Sequence, residues 1–259
     1  SATGDISCAS CHSIDTFGQD NKAFSPGTQG QLGGRSAPSS FNAFRQVAQF
    51  WDGRAASVEE QSTMPMLADV EHGLTSEQQI VEILNGENGY KEAFAAAFSG
   101  QDSAEGPITA DRVRAAIGAF ERTLVTRSPF DDWVEGDDGA LNEEQLAGLE
   151  TFVDTGCVAC HTTRSVGGHM FQKLGLVEPV EIADLGRFQF TGKETDKHQF
   201  KVPSLLNVTE TGPYMHDGSQ KSLDDAVRYM AQVQLGKDLE PAQVESIVTF
   251  LGALKGTLQ

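Results

Sequence analysis

Four cysteines carry the most specific chemical signal in this sequence. They lie in two segments of the same pattern, Cys8-Ala9-Ser10-Cys11-His12 and Cys157-Val158-Ala159-Cys160-His161. Two thiols separated by two residues and followed at once by histidine form the attachment motif of c-type haem. In that chemistry both thiols bond to the porphyrin and the adjacent imidazole ligates the iron. The pattern therefore predicts two covalently bound haem c groups, with His12 and His161 as iron ligands.

Two other chemistries use the same cysteines but do not need the histidines. An all-thiolate zinc site would use both cysteine pairs, and a thioredoxin-like redox site would use one pair in a βαβ setting. Because haem attachment takes place outside the cytoplasm, the haem interpretation also predicts a periplasmic protein. The stretch Ser1–Asp5 has no basic region followed by an apolar run, so we expect that an export signal has already been removed.

The composition narrows the classes of partner. The 259 residues include 19 Lys and Arg against 37 Asp and Glu, which gives a formal charge of −18. A chain this acidic is unsuited to nucleic acid, would be repelled by an anionic membrane and would attract a basic partner. No apolar run approaches the roughly 18 residues that a membrane span needs. We therefore expect a globular protein with no membrane span and no nucleic acid partner.

The apolar residues outside the loops follow helical spacing. Asn142, with Gln145 three residues on, is expected to begin a helix that Gly156 ends just before the second haem motif. Further helices are expected to begin at Thr75, Ser222 and Pro241. No convincing run of alternating strand residues appears. The sequence thus predicts a mainly α protein with long irregular loops.

A short acidic, glycine-rich stretch, 135–139, separates the two haem motifs. It predicts an N-terminal domain over 1–138 and a C-terminal domain over 139–259, with one haem motif in each. The last helix could fold back on the first domain.

Three further blocks make the chain recognisable. They are Gln49-Phe50-Trp51-Asp52-Gly53-Arg54, Phe200-Lys201-Val202-Pro203-Ser204-Leu205 and Thr211-Gly212-Pro213-Tyr214-Met215-His216-Asp217-Gly218. In this order and spacing, with the haem motifs, they resemble the bacterial dihaem cytochrome c peroxidases and their MauG-type relatives. The resemblance implies two cytochrome c-like haem domains in a haem-dependent peroxidase. The first would hold the high-spin peroxidatic haem and the second the low-spin electron-transfer haem.

The resemblance also implies roles for single residues. Met230 would be the second axial ligand, opposite His161, although helical spacing alone equally favours a core methionine. Trp51 would lie between the haems as an electron relay; its structural alternative is a buried indole. Gln61 and Glu71 would line the peroxide pocket, where Glu71 would transfer the proton of peroxide. A solvated surface glutamate is the alternative for Glu71.

The chain departs from the family pattern at two positions. Thr28 stands where many members have a distal histidine, so we expect the first iron to be open without reductive activation. Ser36 stands where an asparagine usually follows the arginine of a calcium site. Backbone carbonyls at Thr211 and Pro213 could still serve calcium, and calcium binding is left open. His72, next to Glu71, is expected to be a solvated loop histidine.

Three functions are consistent with these residues. The first is a peroxidase that reduces hydrogen peroxide with electrons from a small periplasmic redox protein, a cytochrome c or a cupredoxin. The second is a MauG-like enzyme that uses peroxide to oxidise Trp or Tyr residues of a partner protein. The third is a non-catalytic dihaem electron carrier. The sequence leaves open whether the molecule forms a homodimer.

Overall fold

The computed structural model describes residues 1–101 and 103–259 and is mainly helical, as the sequence predicts. The helices are α1 (Cys8–Cys11), α2 (Val58–Ser62), α3 (Met64–Leu67), α4 (Glu77–Gly86), α5 (Tyr90–Ala97), α6 (Ala110–Glu121), α7 (Pro129–Val134), α8 (Glu143–Thr155), α9 (Phe188–Thr191), α10 (Leu223–Leu235) and α11 (Pro241–Gly252). The strands are β1 (Thr126–Arg127), β2 (Phe171–Lys173), β3 (Gln199–Lys201) and β4 (Thr257–Leu258). Within the described ranges, no helix is long and apolar enough to cross a membrane.

Local capping chemistry sets the ends of the helices that lead into the site. The side chain of Asn142 accepts a hydrogen bond from the Gln145 N–H at 2.8 Å, and Gly156 ends α8 in the left-handed region with φ 98°. Ser222 caps α10 in the same way. These predicted boundaries are confirmed. The helix expected to begin at Thr75 begins one residue later. Its N-cap is Ser76, whose hydroxyl accepts a hydrogen bond from the Gln79 N–H.

The core of the C-terminal half forms where α11 packs along α8. Phe152 of α8 meets Phe250 of α11 with ring centroids 5.3 Å apart, and Leu254 just beyond is fully buried. The two helices approach closely at Gly148, where a Cβ atom would overlap the carbonyl oxygen of Ser246. This packing supports the end of α8, directly before the second haem motif.

A buried polar network joins the end of the chain to its first half. β4 pairs antiparallel with β1, and the hydroxyl of Thr126 accepts from Asn42 Nδ2 at 2.8 Å and from Asn207 Nδ2 at 3.1 Å. Asn207 Oδ1 in turn accepts from the Gly256 N–H at 2.8 Å. The last helix lies on α8 and also touches the first half, since Phe250 of α11 meets Phe130 of α7 with ring centroids 5.6 Å apart. The boundary between 138 and 139 stays a prediction.

A second ribbon carries part of the site. β2 and β3 pair antiparallel, with Phe171 opposite Lys201 and Lys173 opposite Gln199. The backbone N–H of Lys201 donates to the carbonyl oxygen of Trp51 at 2.7 Å. This bond joins the ribbon of the C-terminal half to a segment of the N-terminal half.

Candidate functional site

The second C-x-x-C-H segment follows α8 without a break. The left-handed Gly156 turns the chain into a single helical turn, Cys157–Ala159, and neither cysteine of the motif is in a disulfide bond. Burial raises the pKa of Cys157 to about 11 and lowers the pKa of His161 to about 4. His161 is therefore a neutral imidazole. Its Nδ1 lies 3.3 Å from the carbonyl oxygen of Val166, which leaves Nε2 with its lone pair as a metal ligand.

A large cavity opens beside this motif and brings distant residues together. Cys157, Cys160 and His161 line it from one segment, and Met230 lines it from α10. The rest of the wall is mostly apolar and includes Phe152, Leu205, Val227, Ile247 and Leu251. Two thiols, a neutral imidazole and a thioether facing one apolar cavity match the donor set of a haem c with His and Met ligation. The residues of this site fit the group that the sequence predicts.

Trp51 lines the same cavity. Its indole Nε1–H donates to the carbonyl oxygen of Ser36 at 2.9 Å, and its ring packs against the apolar cluster that includes Phe200 and Met230. The ring of His216 meets it edge-on, with centroids 6.4 Å apart. The indole is thus held in one orientation next to the second haem motif.

A network of ion pairs lies behind Trp51. Arg35 pairs with Asp52 at 2.7 Å and with Asp184 at 2.7 Å, and Arg54 pairs with Asp52 at 3.0 Å. Arg35 and Asp52 are mostly shielded from solvent, so this network is more than a surface contact. The sequence analysis missed it, because its members lie far apart in the chain and only Asp52 and Arg54 fall within a recognisable block.

The first C-x-x-C-H segment forms α1 and an adjacent turn. His12 Nδ1 lies 2.9 Å from the carbonyl oxygen of Gly18, which again leaves Nε2 as the ligand atom. In both motifs, therefore, a backbone carbonyl oxygen near Nδ1 orients the histidine ring. Glu121 of α6 lies within electrostatic range of Cys8. Burial, together with the charge of nearby Glu59, raises the pKa of Glu121 to about 7. Nothing in the sequence pattern marks Glu121, since it lies on a helix rich in charged residues.

Glu71 lies beside the first motif. Its carbonyl oxygen accepts from the Thr28 N–H at 2.8 Å, and Gly27 packs so closely on Val70 that a Cβ atom there would overlap the backbone. Burial raises the pKa of Glu71, opposed by the charge of Arg54. Its negative charge also contributes to the raised pKa of Cys11, although burial is the main cause. Glu71 is thus half-buried and not a fully solvated surface glutamate.

Gln61 and His72, the two other residues named for this pocket, differ in their burial. Gln61 is half-buried on α2, and its side chain makes no hydrogen bond to the part of the chain that the structure describes. His72 is buried, so the expectation of a solvated loop histidine is wrong. Burial lowers the pKa of His72, with smaller contributions from the chain N-terminus and His12. The reason is that the chain start folds over it, with the Ala2 N–H donating to the His72 carbonyl oxygen at 2.7 Å.

The structure bears differently on the two candidate metal sites, zinc at the cysteines and calcium near Ser36. Over residues 1–101 and 103–259, no three His, Cys, Asp or Glu side chains meet as a metal-binding group, so the two thiol pairs do not form a shared zinc site. Ser36, Thr211 and Pro213, the residues of the candidate calcium site, line the cavity beside Trp51. The Ser36 carbonyl oxygen is already bonded to the Trp51 indole. Calcium at these residues stays a prediction.

Comparison with known proteins decides the family. The model of the di-haem cytochrome c peroxidase family matches residues 1–139. This chain belongs to that family. It is 40% identical over 260 residues to cytochrome c551 peroxidase of Nitrosomonas europaea, covering 99% of the chain and 76% of the relative. It is 42% identical over 258 residues to cytochrome c551 peroxidase of Pseudomonas aeruginosa, covering 97% and 73%.

The fold of this di-haem peroxidase family member also has solved counterparts. A crystal structure of a MauG-like protein associated with microbial copper homeostasis superposes with a TM-score of 0.86 at 24% identity, covering 99% of the chain and 85% of that structure. The predicted fold class, mainly α with cytochrome c-like haem domains, is confirmed. So is the predicted enzyme class, a haem-dependent peroxidase.

Proposed function

We propose that this chain reduces hydrogen peroxide with electrons from a small redox protein, using one covalently bound haem c at each C-x-x-C-H segment. The observation that carries the proposal is the asymmetry of the two sites. At the second motif, Met230 and His161 line one cavity, as a closed, six-coordinate haem needs. At the first motif a neighbouring side chain is Glu71, a half-buried carboxyl group suited to proton transfer.

The haem groups would supply the redox chemistry, and the protein supplies proton transfer and orientation. Glu71 would accept a proton from peroxide at one oxygen and return it to the departing oxygen. Burial brings its pKa closer to neutral pH than that of a solvated glutamate, which suits a group that must both take and give a proton. Gln61 would orient peroxide through its amide.

Trp51 would carry electrons between the two sites. Its N–H is satisfied by the Ser36 carbonyl group, and its ring packs in the same apolar cluster as Met230. An indole held in one orientation next to the second site supports a role as electron relay, as opposed to a purely structural role in the core.

The state of Thr28 supports a first haem that is open without reductive activation. The Thr28 side chain is buried, and its hydroxyl lies 2.5 Å from Thr3 Oγ1 and 3.4 Å from Asp5 Oδ1. A hydroxyl held by two polar neighbours is a poor iron ligand. Thr28 stands where a histidine would otherwise close the site.

The absorption and EPR spectra of the oxidised holoprotein test the proposal. We expect one high-spin haem that binds cyanide and one low-spin haem that does not. The physical reason is that Met230 of α10 brings a thioether to the cavity of the second motif, whereas Thr28 stands where a histidine would close the first site. Two low-spin haems without cyanide binding would leave only the third function, an electron carrier.

The open position at Thr28 also favours a second candidate, a MauG-like enzyme that uses peroxide to oxidise Trp or Tyr residues of a partner protein. Steady-state turnover distinguishes the two. A peroxidase consumes peroxide continuously with reduced cytochrome c, whereas a protein-modifying enzyme does so only while its partner is oxidised. The relatives named cytochrome c551 peroxidase support the first candidate.

The charge of −18 favours a basic electron donor, a cytochrome c or a cupredoxin. A periplasmic location follows from the proposed covalent haem attachment. Calcium near Ser36 and a homodimer belong to the same proposal as open alternatives, to be measured by metal analysis and by sedimentation.

A further inference from the structure

Lys201 is a buried cation at the wall of the second haem cavity. Only 5% of the residue is exposed, although lysine is almost never buried without a partner. Its ammonium group donates to Gln46 Oε1 and, at 2.8 Å, to the carbonyl oxygen of Ala48. An ammonium group has three N–H donors, so one remains for a further acceptor.

No carboxylate of the described residues lies within ion-pair distance of the Lys201 ammonium group. Among the described residues, the charge of Asp52 acts on Lys201, but Asp52 is already paired with Arg35 and Arg54. Burial lowers the pKa of Lys201 to about 7. A buried ammonium bonded only to neutral oxygens is costly, and an anion in the cavity would offset that cost.

The cavity itself indicates which anion. Lys201 lines the same cavity as Cys157, His161 and Met230, where the proposed function requires the second haem. A haem brings two propionate carboxylates into an otherwise mostly apolar cavity. A second cation nearby, the half-buried Arg35, already binds two carboxylates, those of Asp52 and Asp184. Lys201 is thus the cation of this wall whose charge is unmatched.

We propose that Lys201 binds a propionate carboxylate of the haem attached at Cys157 and Cys160, an inference that depends on the proposed haem at this site. A cation held against the haem stabilises the reduced state and raises the reduction potential of the second haem. Lys201 also holds the carbonyl oxygens of Ala48 and, through its backbone, of Trp51. It therefore positions the Trp51 segment against the same haem.

The test compares two charge-neutralising variants of the full dihaem protein. Lys201→Gln removes the buried cation. Lys173→Gln removes a lysine from the neighbouring strand β2, where the side chain is exposed. Spectroelectrochemistry gives the potential of the low-spin haem, and resonance Raman spectroscopy gives the propionate-bending band.

For Lys201→Gln we expect the equilibrium constant for reduction of the low-spin haem to fall roughly tenfold, which is about 59 mV for one electron. The propionate band should shift to lower frequency as its ion pair is lost. Lys173→Gln should change neither. Identical behaviour of the two variants in both measurements would overturn the inference.

Lys201→Met adds a readout of opposite sign. If Lys201 pairs with a propionate, the methionine leaves that carboxylate buried alone and lowers the thermal unfolding temperature of the holoprotein. If Lys201 has no anionic partner, removal of a buried cation raises that temperature, which contradicts the inference.

A crystal structure of the wild-type holoprotein tests the propionate contact even if the Lys201 variants do not fold. Lys201 Nζ should lie within hydrogen-bonding distance of a propionate oxygen, and a longer separation overturns the proposal. None of these measurements needs peroxide turnover. A protein with two haems and no peroxidase activity would contradict the proposed function and leave the Lys201 result standing.

Discussion

The carboxyl group of Glu71 gains its candidate role from its surroundings. Thirty-seven acidic residues occur in this chain, and most of them are exposed. Glu71 is held beside the first haem motif by the backbone pairing with Thr28, and burial raises its pKa. The candidate role follows from this half-buried place beside the motif and not from the residue type.

Glu71→Gln should lower the rate of reaction with peroxide by about 10²–10⁴-fold, since the amide cannot take the proton. Both haem spectra should stay nearly unchanged, because Glu71 is not an expected ligand. Stopped-flow mixing with peroxide measures the rate. Glu82→Gln, on the exposed side of α4, is the matched control. An unaltered rate in Glu71→Gln would refute the acid–base role.

The same reaction should depend on pH with a definite sign. Glu71 must be ionised to accept the proton, so the rate should fall as pH decreases through its pKa. Because burial raises that pKa, the fall should begin at higher pH than for a glutamate with the ordinary value of 4.5. The profile should vanish in Glu71→Gln and persist in Glu82→Gln.

At the scale of elements, α8 and α11 act as the support of the second haem motif. Their contact depends on Gly148, which has no side chain where Ser246 approaches. The close packing continues to Phe152, one turn before Gly156 and Cys157. A change in the spacing of these helices should therefore be transmitted to the motif.

Gly148→Ala should lower the free energy of unfolding by about 1–3 kcal/mol, because the added methyl group forces the two helices apart. Gly86→Ala on α4 is the control, since a Cβ there meets nothing within 4 Å. That substitution, at the last residue of α4, should change the free energy of unfolding by less than about 0.5 kcal/mol. Chemical denaturation measures both. Equal effects of the two substitutions would contradict the packing argument.

At the scale of the whole molecule, the two halves of the chain are joined by polar contacts as well as by the haem cavity. Thr126, Asn42 and Asn207 form a fully buried network between the strand β1, the first half and the segment that returns after α11. The ion pairs of Arg35 make a second connection, from the N-terminal half to Asp184. The position of Trp51 against the second motif depends on such contacts.

Thr126→Val should lower the free energy of unfolding by about 1–3 kcal/mol, because two buried amide N–H groups lose their acceptor while the shape is kept. Thr123→Val, at an exposed hydroxyl that bonds only to Phe120 in its own turn, should change stability by less than about 0.5 kcal/mol. Thermal unfolding of both variants checks this. A loss as large in Thr123→Val would show that the network is not responsible.

The sequence alone determined what is local. The spacing of the two C-x-x-C-H segments and the caps at Asn142 and Ser222 can be recognised because their atoms interact within a few residues along the chain. The same holds for the mainly α class, which follows from apolar periodicity. The one-residue error at Thr75 arose where two adjacent hydroxyl residues could both cap a helix.

The tertiary structure decided what depends on residues far apart in the chain. It brought Met230 and Trp51 to the cavity of His161, buried His72 against sequence expectation, and left the charge of Lys201 without a carboxylate among the described residues. Such contacts depend on how helices and loops pack, and neither periodicity nor spacing encodes that directly. Burial then sets the pKa values and determines which hydrogen-bond donors remain free for a ligand. For this reason the chemistry of the site could be derived only from the tertiary structure.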